Sequence, residues 1–151
     1  MKNRKFNSGF TLFIAIIVMG TLLLVAAGMV SLAVRQALIS ASGRESQHAF
    51  YAADTGIECA LYWDVQNPSG RSAFSTSTPS NITCNGTAAT VGGGGNDSIS
   101  TFSFTLSPDS YCATVTVAKG SNGSTRIESK GYNTCDSANP RRVERAVRAI
   151  Y

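Results

Sequence analysis

The sequence predicts an α+β chain: a long N-terminal helix packed on a C-terminal antiparallel sheet of about four strands. The first half of the helix spans a membrane and the second half meets the sheet. Three observations lead there. Residues 10–34 carry no charge and no proline. Residues 35–64 switch to an amphipathic pattern with a period near 3.6. From Ser98 onward the period drops to two, with turn signals between the alternating runs.

The apolar run decides the class of protein. At about 1.5 Å per residue, its 25 residues make a rod of roughly 37 Å, enough to cross a hydrocarbon core of about 30 Å. Lys2, Arg4 and Lys5 precede it and Arg35 follows, a bias that leaves the N-terminus cytoplasmic and the rest outside. Val25-Ala26-Ala27 loosely imitates a secretory cleavage site, but the run far exceeds the usual h-region of about 7–15 residues. A plain, uncut membrane anchor is the other alternative.

In residues 35–64, Leu38, Ile39, Ala49, Ala52, Ala53, Ile57, Ala60 and Leu61 recur at helical spacing, with charged residues between them. Only Gly43 interrupts, at a cost of about 1 kcal/mol relative to alanine. One helix over residues 10–64 is the simplest account, and Asn67-Pro68-Ser69-Gly70 ends it. Residues 65–97 are rich in Ser, Thr, Asn and Gly and read as a long loop, with a short extended piece at 81–84. The glycine run 92–95 lacks the Gly-Lys-Ser/Thr sequel and the strand-to-helix setting of a phosphate cradle.

Residues 98–151 supply the sheet. Phe102, Phe104 and Leu106 alternate with Ser103 and Thr105, and Pro108-Asp109 marks a turn. Tyr111, Ala113, Val115 and Val117 alternate with Thr114 and Thr116, and Asn122-Gly123 accepts the positive φ of a tight hairpin. Thr125, Ile127 and Ser129 then face one way, and Arg126, Glu128 and Lys130 the other. Residues 142–151 form the last strand, with Val143, Val147 and Tyr151 on one face. The sheet's apolar side needs a cover, and the amphipathic half of the helix is the candidate.

Composition narrows the function. The formal charge of +4 suggests an anionic partner, yet removing residues 1–9 leaves ten basic against nine acidic residues. The basic balance reports topology rather than a ligand. Cys59, Cys84, Cys112 and Cys135 all lie beyond the membrane run and form no close metal-ligand pairs. Outside the cytoplasm they read as two disulfides, with three connectivities open. Cys112 opens one strand and Cys135 lies just beyond its hairpin partner, which favours Cys112–Cys135 and, by elimination, Cys59–Cys84. No cofactor or metal is expected.

Nor is an enzyme. His48 has Glu45 three residues before it, but no motif places a nucleophile beside them. Asp54 and Glu58, one turn apart, read as solvated carboxylates. Arg141, Arg142, Arg145 and Arg148 cluster in sequence and could bind DNA phosphates in a salt-dependent way. A charged strand face that discourages edge-to-edge pairing is the favoured reading.

Two stretches carry a family resemblance. Ser8-Gly9-Phe10-Thr11-Leu12, behind its basic leader, resembles the junction at which prepilin peptidase cuts type IV pilins. Ala49-Phe50-Tyr51-Ala52-Ala53-Asp54-Thr55-Gly56-Ile57-Glu58 resembles the Ala-Phe-x-x-Ala-Glu-x-Gly-Leu-Glu block of PilX-type minor pilins, with Asp54 in place of glutamate. Gly131-Tyr132 and residues 141–145 look loosely like that group's last strands.

The resemblance implies a pilin fold: a leader at 1–9, a filament-core helix at 10–34, an amphipathic half at 35–64, a loop at 65–97 and a sheet at 98–151. It implies cleavage after Gly9 and N-methylation of Phe10. It also implies a structural role in a type IV pilus or a type II secretion-like pseudopilus, with other pilin subunits, prepilin peptidase and the cytoplasmic membrane as partners. Such a chain sits in that membrane as a single pass before assembly and in an extracellular or periplasmic filament afterwards. Major pilins carry a glutamate at the fifth mature position, where this chain has Ile14. That departure implies a minor subunit.

Overall fold

The computed structural model describes residues 8–67, 70–74, 79–93, 99–108 and 110–151, the side chain of Ser8 excepted. The basic leader residues Lys2, Arg4 and Lys5, together with Pro68, Gly94, Gly95 and Asp109 from the turn and loop signals, lie outside these. One helix, α1 (Ser8–Val65), is followed by six strands: β1 (Ser80–Cys84), β2 (Thr87–Gly93), β3 (Ile99–Leu106), β4 (Tyr111–Lys119), β5 (Thr125–Tyr132) and β6 (Glu144–Ile150). The strands form one antiparallel sheet in sequence order. The chain makes two compact units, Met1–Ser42 and Gly43–Tyr151.

The sheet has six strands rather than about four, and the two additional ones fall where a loop is expected. Asn85 and Gly86 both adopt positive φ, 49° and 75°, the pair that a two-residue hairpin turn with native twist requires. Ile82, Ala89 and Val91 alternate inward on either side of it. Their signal is faint in sequence because one of the three is only an alanine and the outward positions are neutral rather than charged.

In the second unit the amphipathic part of α1 covers the sheet. Ala49, Ala52, Ala53, Ile57 and Ala60 are buried, and Ile57 and Ala60 share one cluster with Phe102, Phe104, Ala113, Val115, Val117 and Ile127. Phe74, Phe102 and Phe104 stack in series, with centroids 5.7 and 6.2 Å apart. The helix face is built of small residues because its backbone comes very close to β5. A Cβ on Gly131 would fall 2.1 Å from the Ala49 carbonyl oxygen and 2.2 Å from the Ala53 nitrogen. A Cβ on Gly56 would fall 2.2 Å from Ser129 Oγ and 2.9 Å from Val115 Cγ2. Two glycines facing across the interface set this spacing.

Disulfides join Cys59 of α1 to Cys84 of β1, and Cys112 of β4 to Cys135 beyond β5, with Cα separations of 5.7 and 5.3 Å.

Candidate functional site

The described part of the first unit is helical, and none of its described residues is buried. Every described side chain from 10 to 34 is exposed, from Phe10 and Leu12 to Val30, Leu32 and Val34. The helix is long and apolar enough to cross a membrane. Polar groups on it need not compromise that surface: Thr21 Oγ1 donates to the Val18 carbonyl oxygen at 2.9 Å, satisfying itself within the helix. Gly20 and Gly28 leave notches: apart from the adjoining helix backbone, no described atom lies within 4 Å of the place a Cβ would occupy. Large apolar side chains interrupted by such notches suit close packing against other helices.

Gly9 and Phe10, the expected cleavage and methylation positions, are exposed in the first turns of α1. Ile14 is exposed too, 45% of its surface being open. No acidic residue lies in the first turn, and none occurs before Glu45.

The second unit holds an ionic cluster that local patterns do not reveal. The Asp64 carboxylate, almost wholly buried, accepts from the Lys119 ammonium of β4, the Ser72 hydroxyl and the Tyr151 hydroxyl. Burial opposes its charge, but those three donors outweigh it and hold the carboxyl below its ordinary value of 3.8. Burial, and then donation to Asp64, push the Tyr151 hydroxyl up. Beside this cluster Trp63 Nε1 donates to the Thr83 carbonyl oxygen at 3.1 Å. The end of α1 is thereby tied to β1, β4 and the residue after β6. The sequence offered only an acidic residue near a helix end.

The catalytic alternatives do not assemble. Glu45 accepts from Asn133 Nδ2 at 2.7 Å, while His48 stacks on Tyr111 with centroids 4.6 Å apart. Among the described residues, no three of His, Cys, Asp and Glu gather as a metal site would need. The arginines are dispersed into separate contacts. Arg142 lies over the Tyr132 ring, 3.7 Å from its centroid. Arg145 Nε donates to Ser46 Oγ, and Arg148 pairs with Glu128 at 2.8 Å and lowers that carboxyl's pKa. Arg141 is exposed. Three of these four neighbours in sequence thus take separate partners.

In comparison with known families, residues 8–58 match the family model described as PilX N-terminal. This segment is thus similar to the N-terminal domain of PilX, a type IV minor pilin family, and the helix-on-sheet architecture is a pilin-like α+β fold. Comparison with curated proteins gave no match, nor did comparison with solved structures.

Proposed function

We propose that this PilX-family minor pilin is a structural subunit of a type IV pilus or type II secretion-like filament. It enters the membrane with its leader in the cytoplasm, is cut after Gly9, is methylated on the new Phe10 amine and is drawn into a bundle of pilin helices. The observation that carries this is the wholly exposed apolar surface of residues 10–34. A side chain of Leu or Ile size gains about 1.5–3 kcal/mol on leaving water. Exchange of lipid for neighbouring helices keeps that gain throughout, so extraction need not pass through water.

Ile14 sets this subunit's rank. A mature N-terminal ammonium among apolar helices costs several kcal/mol unless a carboxylate meets it. This chain supplies an amine to a neighbour's glutamate but has no carboxylate in its own apolar run to return. A filament of this chain alone is therefore disfavoured, and low copy number beside a major pilin follows.

The test is the intact mass of the membrane-extracted protein, expected to equal the chain from Phe10, with or without a methyl group. A chain still starting at Met1 identifies a permanently anchored surface protein. One starting at Gly28 identifies a secreted protein.

A further inference from the structure

We propose that the β1–β2 hairpin is an oxidation-latched flap. With the Cys59–Cys84 bond closed it lies over the phenylalanine stack. With both thiols reduced it swings out on Gly92–Gly93 while β3–β6 and the covering helix stay folded.

The strand pairings carry the first part of the argument. The ladder from β3 to β4 runs from Ile99↔Ala118 to Leu106↔Tyr111, and those from β4 to β5 and β5 to β6 are equally continuous. Backbone pairing of β2 with β3 is confined to Gly92↔Thr101 and Gly93↔Ser100. Farther along, one side-chain bond bridges the strands, from Thr87 Oγ1 to the Thr105 carbonyl oxygen at 3.0 Å. The hairpin itself is fully laddered from Ser80↔Val91 to Cys84↔Thr87, so it can move as a unit.

The join has the chemistry of a hinge. Gly93 has a φ of 81°, and a Cβ there would lie 2.4 Å from the Ile99 carbonyl oxygen, so only glycine fits the closed position. Two glycines in succession also leave the open chain a wide choice of conformations, which favours release.

What opposes release is a small apolar pad, two hydrogen bonds (Trp63 Nε1 to the Thr83 carbonyl oxygen at 3.1 Å and Ser80 Oγ to the Ala73 carbonyl oxygen at 2.9 Å) and a covalent bond. Ile82, Ala89 and Val91 are buried in the cluster that contains Phe74, Phe102 and Phe104. Cys84, at the end of β1, is bonded to Cys59 of the helix. That bond closes a segment with a sequence separation of 25 and removes much of the freedom the open hairpin would gain. The other disulfide is placed differently. Cys112 already sits in the continuous β4–β5 ladder opposite Tyr132, so Cys112–Cys135 staples what backbone bonds hold anyway.

Opening requires a thiol or phosphine reductant, which delivers two electrons; two protons complete the pair of thiols. Closing returns both electrons to a disulfide oxidant. The reduced chain then presents the backbone edge of β3 and the rings of Phe102 and Phe104, a surface prone to strand pairing. Completion of the head thus depends on oxidation outside the cytoplasm.

Hydrogen-exchange mass spectrometry on the full chain in detergent micelles tests this. In the Cys59→Ser/Cys84→Ser variant, peptides covering 80–93 should exchange about 100-fold faster, the change implied by an ordinary loop-closing disulfide, while 99–106 keeps the protection that its ladder to β4 provides. Peptides covering 111–132 should be unchanged. The Cys112→Ser/Cys135→Ser variant should keep 80–93 protected. If the first variant does not fold, the second is folded, reduced with tris(2-carboxyethyl)phosphine, alkylated and read in the same way, so that only the Cys59–Cys84 bond opens. Retained protection of 80–93 overturns the proposal, and so does joint loss of protection across 80–132.

Discussion

Two stretches of the same helix, 10–34 and 43–65, solve opposite problems with opposite side chains. The first carries Phe, Leu, Ile, Val and Met and leaves them all exposed. The second buries Ala49, Ala52, Ala53, Gly56, Ile57 and Ala60, nearly all of them small. Along this helix, apolar bulk therefore does not mark what is buried. Bulk is placed on the stretch that stays exposed, while smallness is placed where the helix backbone must come within touching distance of a strand. The helix-on-sheet joint depends more on the absence of atoms than on hydrophobic mass.

The most severe way to break this contrast is to add atoms at the joint. Gly131→Val puts a branched side chain against the Ala49 carbonyl and the Ala53 nitrogen, backbone atoms that cannot rotate away. The expected loss exceeds about 3 kcal/mol, the upper end of ordinary overpacking. Thermal unfolding followed by near-ultraviolet circular dichroism should show the second unit's transition lost or greatly lowered. A transition within a few degrees of wild type would mean that the helix does not seat as described.

The ionic cluster comes next. Asp64→Ala leaves the Lys119 ammonium without its carboxylate and two hydroxyls without their acceptor. A loss of about 2–3 kcal/mol is expected, below the full cost of breaking a buried pair because Lys119 keeps some solvent contact. The pH dependence has a definite sign. The carboxyl's pKa is lower folded than unfolded, so its contribution is complete above the ordinary value of 3.8 and is lost as pH falls through the folded value. Denaturant titrations of wild type and Asp64→Ala should therefore differ at neutral pH and draw together as the pH falls through the folded carboxyl's titration.

A gentler intrusion is Gly56→Ala, whose new methyl meets the Ser129 hydroxyl and Val115 rather than backbone. Ser129 Oγ is buried and bonds to no group among the described residues, so removing it forfeits no hydrogen bond there. The single change should cost about 1–2 kcal/mol, and Ser129→Ala in the same chain should restore part of it. A double variant no better than the single one would show that Val115, not Ser129, sets the limit.

The smallest effect sharpens the comparison from the other side. Leu23→Ala removes a large side chain from the apolar stretch, yet Leu23 is 70% exposed in this chain. The second unit's unfolding midpoint in detergent should shift by less than the equivalent of about 0.5 kcal/mol, as for other surface substitutions. If the midpoint moves as a core leucine's would, the apolar stretch has a partner inside the chain after all.

The sequence by itself determined the long helix, the place where its character changes, and the alternating strands from Phe102 onward. Each of these is a pattern repeated among near neighbours, at period 3.6 or 2, and is legible in a short window. The apolar surface of 10–34 was legible for the same reason: a helix in lipid is selected for composition along its whole length. The β1–β2 hairpin was only half visible, because Asn85-Gly86 marks a turn but one alanine and neutral outward positions leave the alternation around it weak. Only the tertiary structure decided the rest. Gly56 and Gly131 are ordinary glycines until a helix and a strand far apart in the chain are brought together. Asp64 meets Lys119 and Tyr151 across sequence separations of 55 and 87. Arg142 and Arg148 are drawn apart to Tyr132 and Glu128 although they stand close in sequence. Local spacing records which face a residue takes, while the identity of what lies opposite is settled when the sheet closes under the helix.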